Sequence, residues 1–137
     1  MQLVERHVIK RADPRFQVID HAAFASKNLY NKALYVIRQA FFQEGSFPTF
    51  PALYHQMKGE PEYAALPRKV AQWVLKQVCA AWDSYTAALA AWDVAPAQFL
   101  GRPKLPGYKD KQTGRNLLVY TTQALSLPAL RSPTSGT

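Results

Sequence analysis

Between residues 16 and 43 apolar side chains return at helical spacing. Tyr30, Ala33, Leu34, Ile37 and Phe41 fall at i, i+3, i+4, i+7 and i+11, which places them on one face of a long helix. Lys27, Lys32, Arg38 and Gln39 stand off that face. Asp13 suits a cap and Pro14 a first turn. Glu44-Gly45-Ser46 and then Pro48 stop the helix. A short helix follows over residues 49–58, with Thr49 as cap, Pro51 in the first turn, and Leu53, Tyr54 and Met57 on the inner side. The clearest stripe lies over residues 67–92. There Val70, Trp73, Val74, Val78, Ala81, Trp82, Tyr85 and Leu89 repeat at helical spacing. Ala is frequent, Gly is absent and Pro96 ends the segment.

The ends of the chain carry a different pattern. Residues 2–10 partly alternate and hold β-branched side chains, which reads as a strand. Residues 116–126 contain Leu117, Leu118, Val119, Tyr120, Thr121 and Thr122, again strand formers. The two segments are expected to pair and to bring a basic loop beside Lys10 and Arg11. The expected class is α+β, mainly α, with a helical lobe inserted between two β segments. By position, residues 1–12 form the first strand region and 13–100 the helical lobe. Residues 101–127 form the basic loop and returning strand, and 128–137 a disordered tail biased toward Ser, Thr and Pro.

Composition sharpens this. The chain has 137 residues and 48% hydrophobic content, enough for one domain with a real core. Lys and Arg number 17 against 9 Asp and Glu, for a formal charge of +8. Such an excess points to a polyanionic partner. It is uneven. Residues 101–116 hold five bases (Arg102, Lys104, Lys109, Lys111, Arg115) and one acid, Asp110. Their Gly and Pro content excludes helix. One cysteine, Cys79, excludes an internal disulfide and a cysteine-based zinc site. No apolar run reaches the roughly 18 to 20 residues of a membrane span. The N-terminus lacks the layout of a signal peptide, so a cytoplasmic location and no membrane partner are expected.

Three runs of residues resemble one family. Leu29-Tyr30-Asn31-Lys32-Ala33-Leu34 is similar to the first recognition-lobe helix of TnpB proteins. These are RNA-guided nucleases encoded by insertion sequences, also called OrfB transposases, and are relatives of type V CRISPR nucleases. Pro61-Glu62-Tyr63, Leu66-Pro67, Val70-Ala71, Val74-Leu75, Ala81-Trp82 and Tyr85 resemble the family's next long helix. Gly101-Arg102-Pro103-Lys104-Leu105-Pro106, then Tyr108-Lys109, resembles its basic stretch. The resemblance covers about residues 1 to 130, and the order and spacing of the runs make it specific. It implies a wedge domain, a partial barrel of the oligonucleotide-binding kind, interrupted by a helical recognition lobe. It implies guide RNA and DNA as partners. After Arg131 the likeness gives way to Ser-Pro-Thr-Ser-Gly-Thr. The family's RuvC-like carboxylates and four-cysteine ribbon do not follow. The expectation is therefore an amino-terminal fragment that binds nucleic acid and does not cut it, with no cofactor. The alternatives are a stand-alone RNA-binding regulator of the element and a helical remnant without a role.

The candidate contact residues are Lys10, Arg11, Asn31, Arg102, Lys104, Tyr108, Lys109, Lys111 and Arg115. Lys and Arg bind phosphates with release of counterions, and Arg makes bidentate contacts. Tyr108 is placed either to stack on a base or to pack against the fold. Asn31 is a poor helix former, so it serves either a nucleic acid or an internal polar network. Lys27, Lys32 and Arg38 read as a solvated helix face or a duplex contact. Trp73, Trp82 and Trp92 read as packing. His7, His21 and His55 are scattered, without a ligand pattern, and Asp83 and Asp93 lack partner acids. Cys79 reads as an inert thiol beside apolar neighbours.

Overall fold

The structure is a computed structural model, described over residues 12–116. Helix α1 spans Phe16–Glu44. Its N-cap is Arg15, with no side-chain cap bond, so the helix starts after Asp13 and Pro14 and not on them. The Asp13 carboxylate accepts from the Arg15 backbone N–H at 2.9 Å and pairs with the guanidinium at 2.9 Å. These bonds from Arg15 hold the carboxyl at about 2, below its ordinary 3.8. The helix stops at Gly45, whose φ of 73° is left-handed and whose N–H donates to the Phe41 carbonyl at 2.9 Å. A side chain at that φ is strained, so the glycine sets the end of the helix.

Helix α2 is Phe50–Met57, α3 is the single turn Pro61–Ala64, and α4 is Arg68–Val94. A 3-10 turn, Pro96–Gln98, closes the helical part. Each of α2, α3 and the 3-10 turn opens with proline in its first turn, where the missing N–H costs nothing. The stripes read from the sequence face one another. From α1 come Leu29, Ala33, Leu34 and Ile37, and from α4 Val70, Val74, Leu75 and Val78, all buried. Leu53 and Met57 of α2, Tyr63 of α3 and Leu66 close one side. Phe41 and Phe47 meet Trp82 edge-on, with ring centroids 5.3 and 5.9 Å away, and Tyr85 does so at 5.4 Å. No helix among the described residues is long and apolar enough to cross a membrane.

The α+β class is corrected by this arrangement. The described residues hold helices, turns and irregular chain, with no strand and no barrel. The physical reason is that the two long helices cover each other's apolar faces, and α2 and α3 cover the rest. The core closes without a sheet. Residues 101–116 form no ladder either. Pro103 and Pro106 lack an N–H, and the polar groups at 109, 111 and 116 bond to helices instead. Asn116, the first residue of the expected returning strand, docks its side chain between α1 and α4. The expected strands at 2–10 and 117–126, and the tail at 128–137, lie outside the described residues.

Trp82 is fully buried and its indole N–H has no hydrogen-bond partner, so its role is packing alone. Trp82→Ala is expected to cost about 3–5 kcal/mol of unfolding free energy, read from urea denaturation. A loss under about 1 kcal/mol would place the core elsewhere.

A basic segment pinned to helix α1

The basic segment runs back along α1. Tyr108 lies under Arg38, with the guanidinium 4.9 Å from the ring centroid. Lys109 reaches Asn31, Lys111 reaches Lys27, Arg115 reaches Asp20 and Asn116 reaches Ala23. From Tyr108 to Arg115 chain number rises along the segment while it falls along the helix, and Asn116 turns back to Ala23.

The central contact is made by Asn31. Its Oδ1 accepts from the Lys109 N–H at 2.9 Å, and its Nδ2 donates to the Lys109 carbonyl at 2.9 Å. The side-chain amide thus treats one residue of the segment as a strand treats its partner. One helical turn earlier, the Lys27 ammonium donates to the Lys111 carbonyl. The two spacings match. Four helical residues advance about 6 Å, and two extended residues about 6.6 Å. Side chains at 27 and 31 therefore meet the carbonyls of 111 and 109.

Two further anchors hold the far end. The Arg115 guanidinium pairs with both Asp20 carboxylate oxygens, at 2.8 and 3.2 Å. Asn116 is buried. Its Nδ2 donates to Ser26 Oγ and Gln77 Oε1, each at 2.9 Å, which ties the segment to α1 and α4 at once. Between the anchors Asp110 forms a local turn. Its carboxylate accepts from the N–H groups of Thr113 at 2.7 Å and Gln112 at 2.9 Å. These bonds, Thr113 first, pull its pKa down. The Gly114 N–H donates to the Asp110 carbonyl at 3.0 Å. A Cβ at Gly114 would collide with the Asp110 backbone, so the turn requires glycine. Leu105 packs against the core from the same segment.

Lys27 is the unexpected member. It is fully buried, although its charge reads as a solvated face. Its ammonium lies 3.6 Å from the Phe24 ring centroid. Burial pushes its pKa down, the nearby Arg115 and Lys111 push the same way, and Asp110 opposes them. A signal was present. Lys27, Asn31 and Leu34 fall at i, i+4 and i+7, the spacing of the buried stripe itself.

The other expected residues divide clearly. Asn31 uses its amide on Lys109, the internal role. Arg102, Lys104, Tyr108, Lys111 and Arg115 are exposed or nearly so, and Lys109 is half-buried. Arg102 stands 5.8 Å over the Trp92 ring and Lys109 4.7 Å over Tyr30. Arg115 is partly committed to Asp20. Lys10 and Arg11 lie outside the described residues. Cys79 is half-buried, and burial first, then Asp83, raises its thiol pKa. Among the described residues no three His, Cys, Asp or Glu side chains gather into a metal-binding group. No family model matches the chain, and neither a curated protein nor a solved structure matches it.

The buried ammonium generates a pH prediction. Its folded pKa lies below the ordinary 10.5. The charge therefore destabilises the fold most below the folded pKa, and that penalty fades as pH rises through it. Urea denaturation of the wild type and Lys27→Met, run from about pH 7 to about pH 10, checks this. Wild-type stability relative to the variant is expected to rise across the interval. An unchanged difference would mean that Lys27 titrates like a solvated lysine.

Proposed function

We propose that this chain binds nucleic acid through residues 102–115 and acts by binding, not by cleavage. In the light of its resemblance to TnpB proteins, the partners proposed are guide RNA and target DNA. One observation carries the reading: residues 108–116 hold a fixed course along α1, and the segment that includes them keeps Arg102, Lys104 and Lys111 exposed. The carbonyls of Lys109 and Lys111 are spent on Asn31 and Lys27. Their negative ends are thus withdrawn from the outer face. Arg102, Lys104 and Lys111 remain exposed there. A row of cations on a pre-ordered backbone suits a phosphate chain, because little ordering entropy is lost on binding. Asn31 and Lys27 serve as positioning residues for that row. Arg115, held by Asp20, contributes less free charge than its neighbours.

The test is anisotropy of a labelled RNA titrated with the full chain at several salt concentrations, with unrelated RNA as competitor. The triple variant Arg102→Ala, Lys104→Ala, Lys111→Ala is expected to weaken binding. It should lower the slope of log K against log salt by about 2 to 3, roughly 0.7 to 0.9 for each phosphate that is no longer neutralised. Lys58→Ala, away from the segment, should leave the slope nearly unchanged. An equal effect per charge removed, with Lys58→Ala lowering the slope by about a third as much as the triple variant, would mean that net charge alone is at work and would remove the segment from the proposal.

A further inference from the structure

Arg38 touches two aromatic rings that come from different parts of the chain. Its guanidinium lies 4.9 Å from the Tyr108 ring centroid and 5.8 Å from that of Phe42. Arg38 and Phe42 are one turn apart on α1, and Tyr108 is delivered by the pinned segment. Both rings remain strongly exposed, Tyr108 at 46% and Phe42 at 57%. Tyr35, three residues before Arg38, is 52% exposed.

Large apolar rings left half in water on a small domain need an explanation. Core packing supplies only part of one: Phe42 meets Phe41 edge-on at 5.8 Å, while Tyr108 has no ring contact with the core among the described residues. The guanidinium does supply a reason for their geometry: cation–π contact at these distances holds each ring by one face. Tyr108 belongs to the same segment as Arg102, Lys104, Lys109 and Lys111 and is the chain neighbour of Lys109. An aromatic surface next to cations on a fixed backbone matches the chemistry of single-stranded nucleic acid, whose bases offer flat faces and whose phosphates offer charge. A duplex hides those faces in its own stack.

We infer that Tyr108, Arg38 and Phe42 form a stacking platform for unpaired nucleobases, with phosphates of the same strand following the basic segment. The inference rests on the nucleic-acid reading above and adds to it the recognition of bases in a single strand. The platform reads the face of a base and not its edge, so RNA and DNA strands of one sequence both engage it.

The test uses the full chain and three labelled probes of equal length: a single-stranded RNA, the matching single-stranded DNA, and an abasic deoxyribose-phosphate strand. Affinities are measured at two salt concentrations. Both base-bearing strands are expected to bind at least about tenfold more tightly than the abasic one, the scale of one stacked base. The double variant Tyr108→Leu, Phe42→Leu should erase that ratio, so that base-bearing strands bind no more tightly than the abasic one. Both side chains are exposed, and a circular dichroism spectrum identical to wild type verifies that the variant is folded. A 2-aminopurine in the strand should be quenched by the wild type and not by the variant, an independent readout. Equal affinity for abasic and base-bearing strands would overturn the platform while leaving the phosphate row intact. A ratio that survives the double variant would overturn it too. Failure of all three probes to bind at low salt would overturn the nucleic-acid reading and the platform with it.

Discussion

A single side-chain amide organises this molecule's basic surface. Asn31 gives both ends of its amide to the backbone of Lys109, and Lys27 repeats the contact one turn away at Lys111. Without them residues 101–116 would be a proline- and glycine-rich loop with no regular structure of its own. With them the loop acquires a direction, a register and an outer face. The match between about 6 Å along a helix and about 6.6 Å along an extended chain makes this possible. It lets a helix edge serve where a sheet edge usually serves.

The magnitudes indicate what such an arrangement is for. A hydrogen bond to a charged group contributes about 1.5–3 kcal/mol, while burying an ion costs several kcal/mol. The Phe24 face below the Lys27 ammonium offsets part of that. Lys27 is therefore a weak source of stability and a strong source of position. Stability comes from the apolar contact of α1 with α4 and from the aromatic cluster at Trp82. Those contacts keep α1 rigid, and a rigid α1 is what the segment is laid against. The Asp110–Gly114 turn and the Asn116 anchor fix the far end, so Lys109 and Lys111 take their backbone spacing from the helix.

Much of the helical part was legible in the sequence. The Leu34, Ile37 and Val74, Val78 stripes mark α1 and α4, and Thr49-Phe50-Pro51 marks the start of α2. The four residues of α3 are too few for a periodic signal. The expected β component is not seen among the described residues, because the apolar faces of the helices cover one another and their core needs no sheet to close. Pro103 and Pro106 correctly excluded helix, but that left open what the segment packs on. Asn31 was legible as an anomaly, a poor helix former on an otherwise apolar stripe. Lys27 shares the spacing of the buried stripe, but that signal is overridden because a lysine is read as solvated unless a partner is known, and its partner is a backbone carbonyl 84 residues away in sequence. The exposed ladder of Phe42, Arg38 and Tyr108 also has no local signature, since it joins two distant segments.

The basic face depends on the segment being held by Asn31 and not merely lying near it. Amide hydrogen exchange at Lys109, followed by NMR in the full chain, tests this most directly. The Lys109 N–H is expected to be protected in the wild type, as the amides of α1 are, and to exchange freely in Asn31→Ala. Exchange at the rate of open backbone in the wild type would contradict that hold, since the basic face would then have no fixed course along the helix.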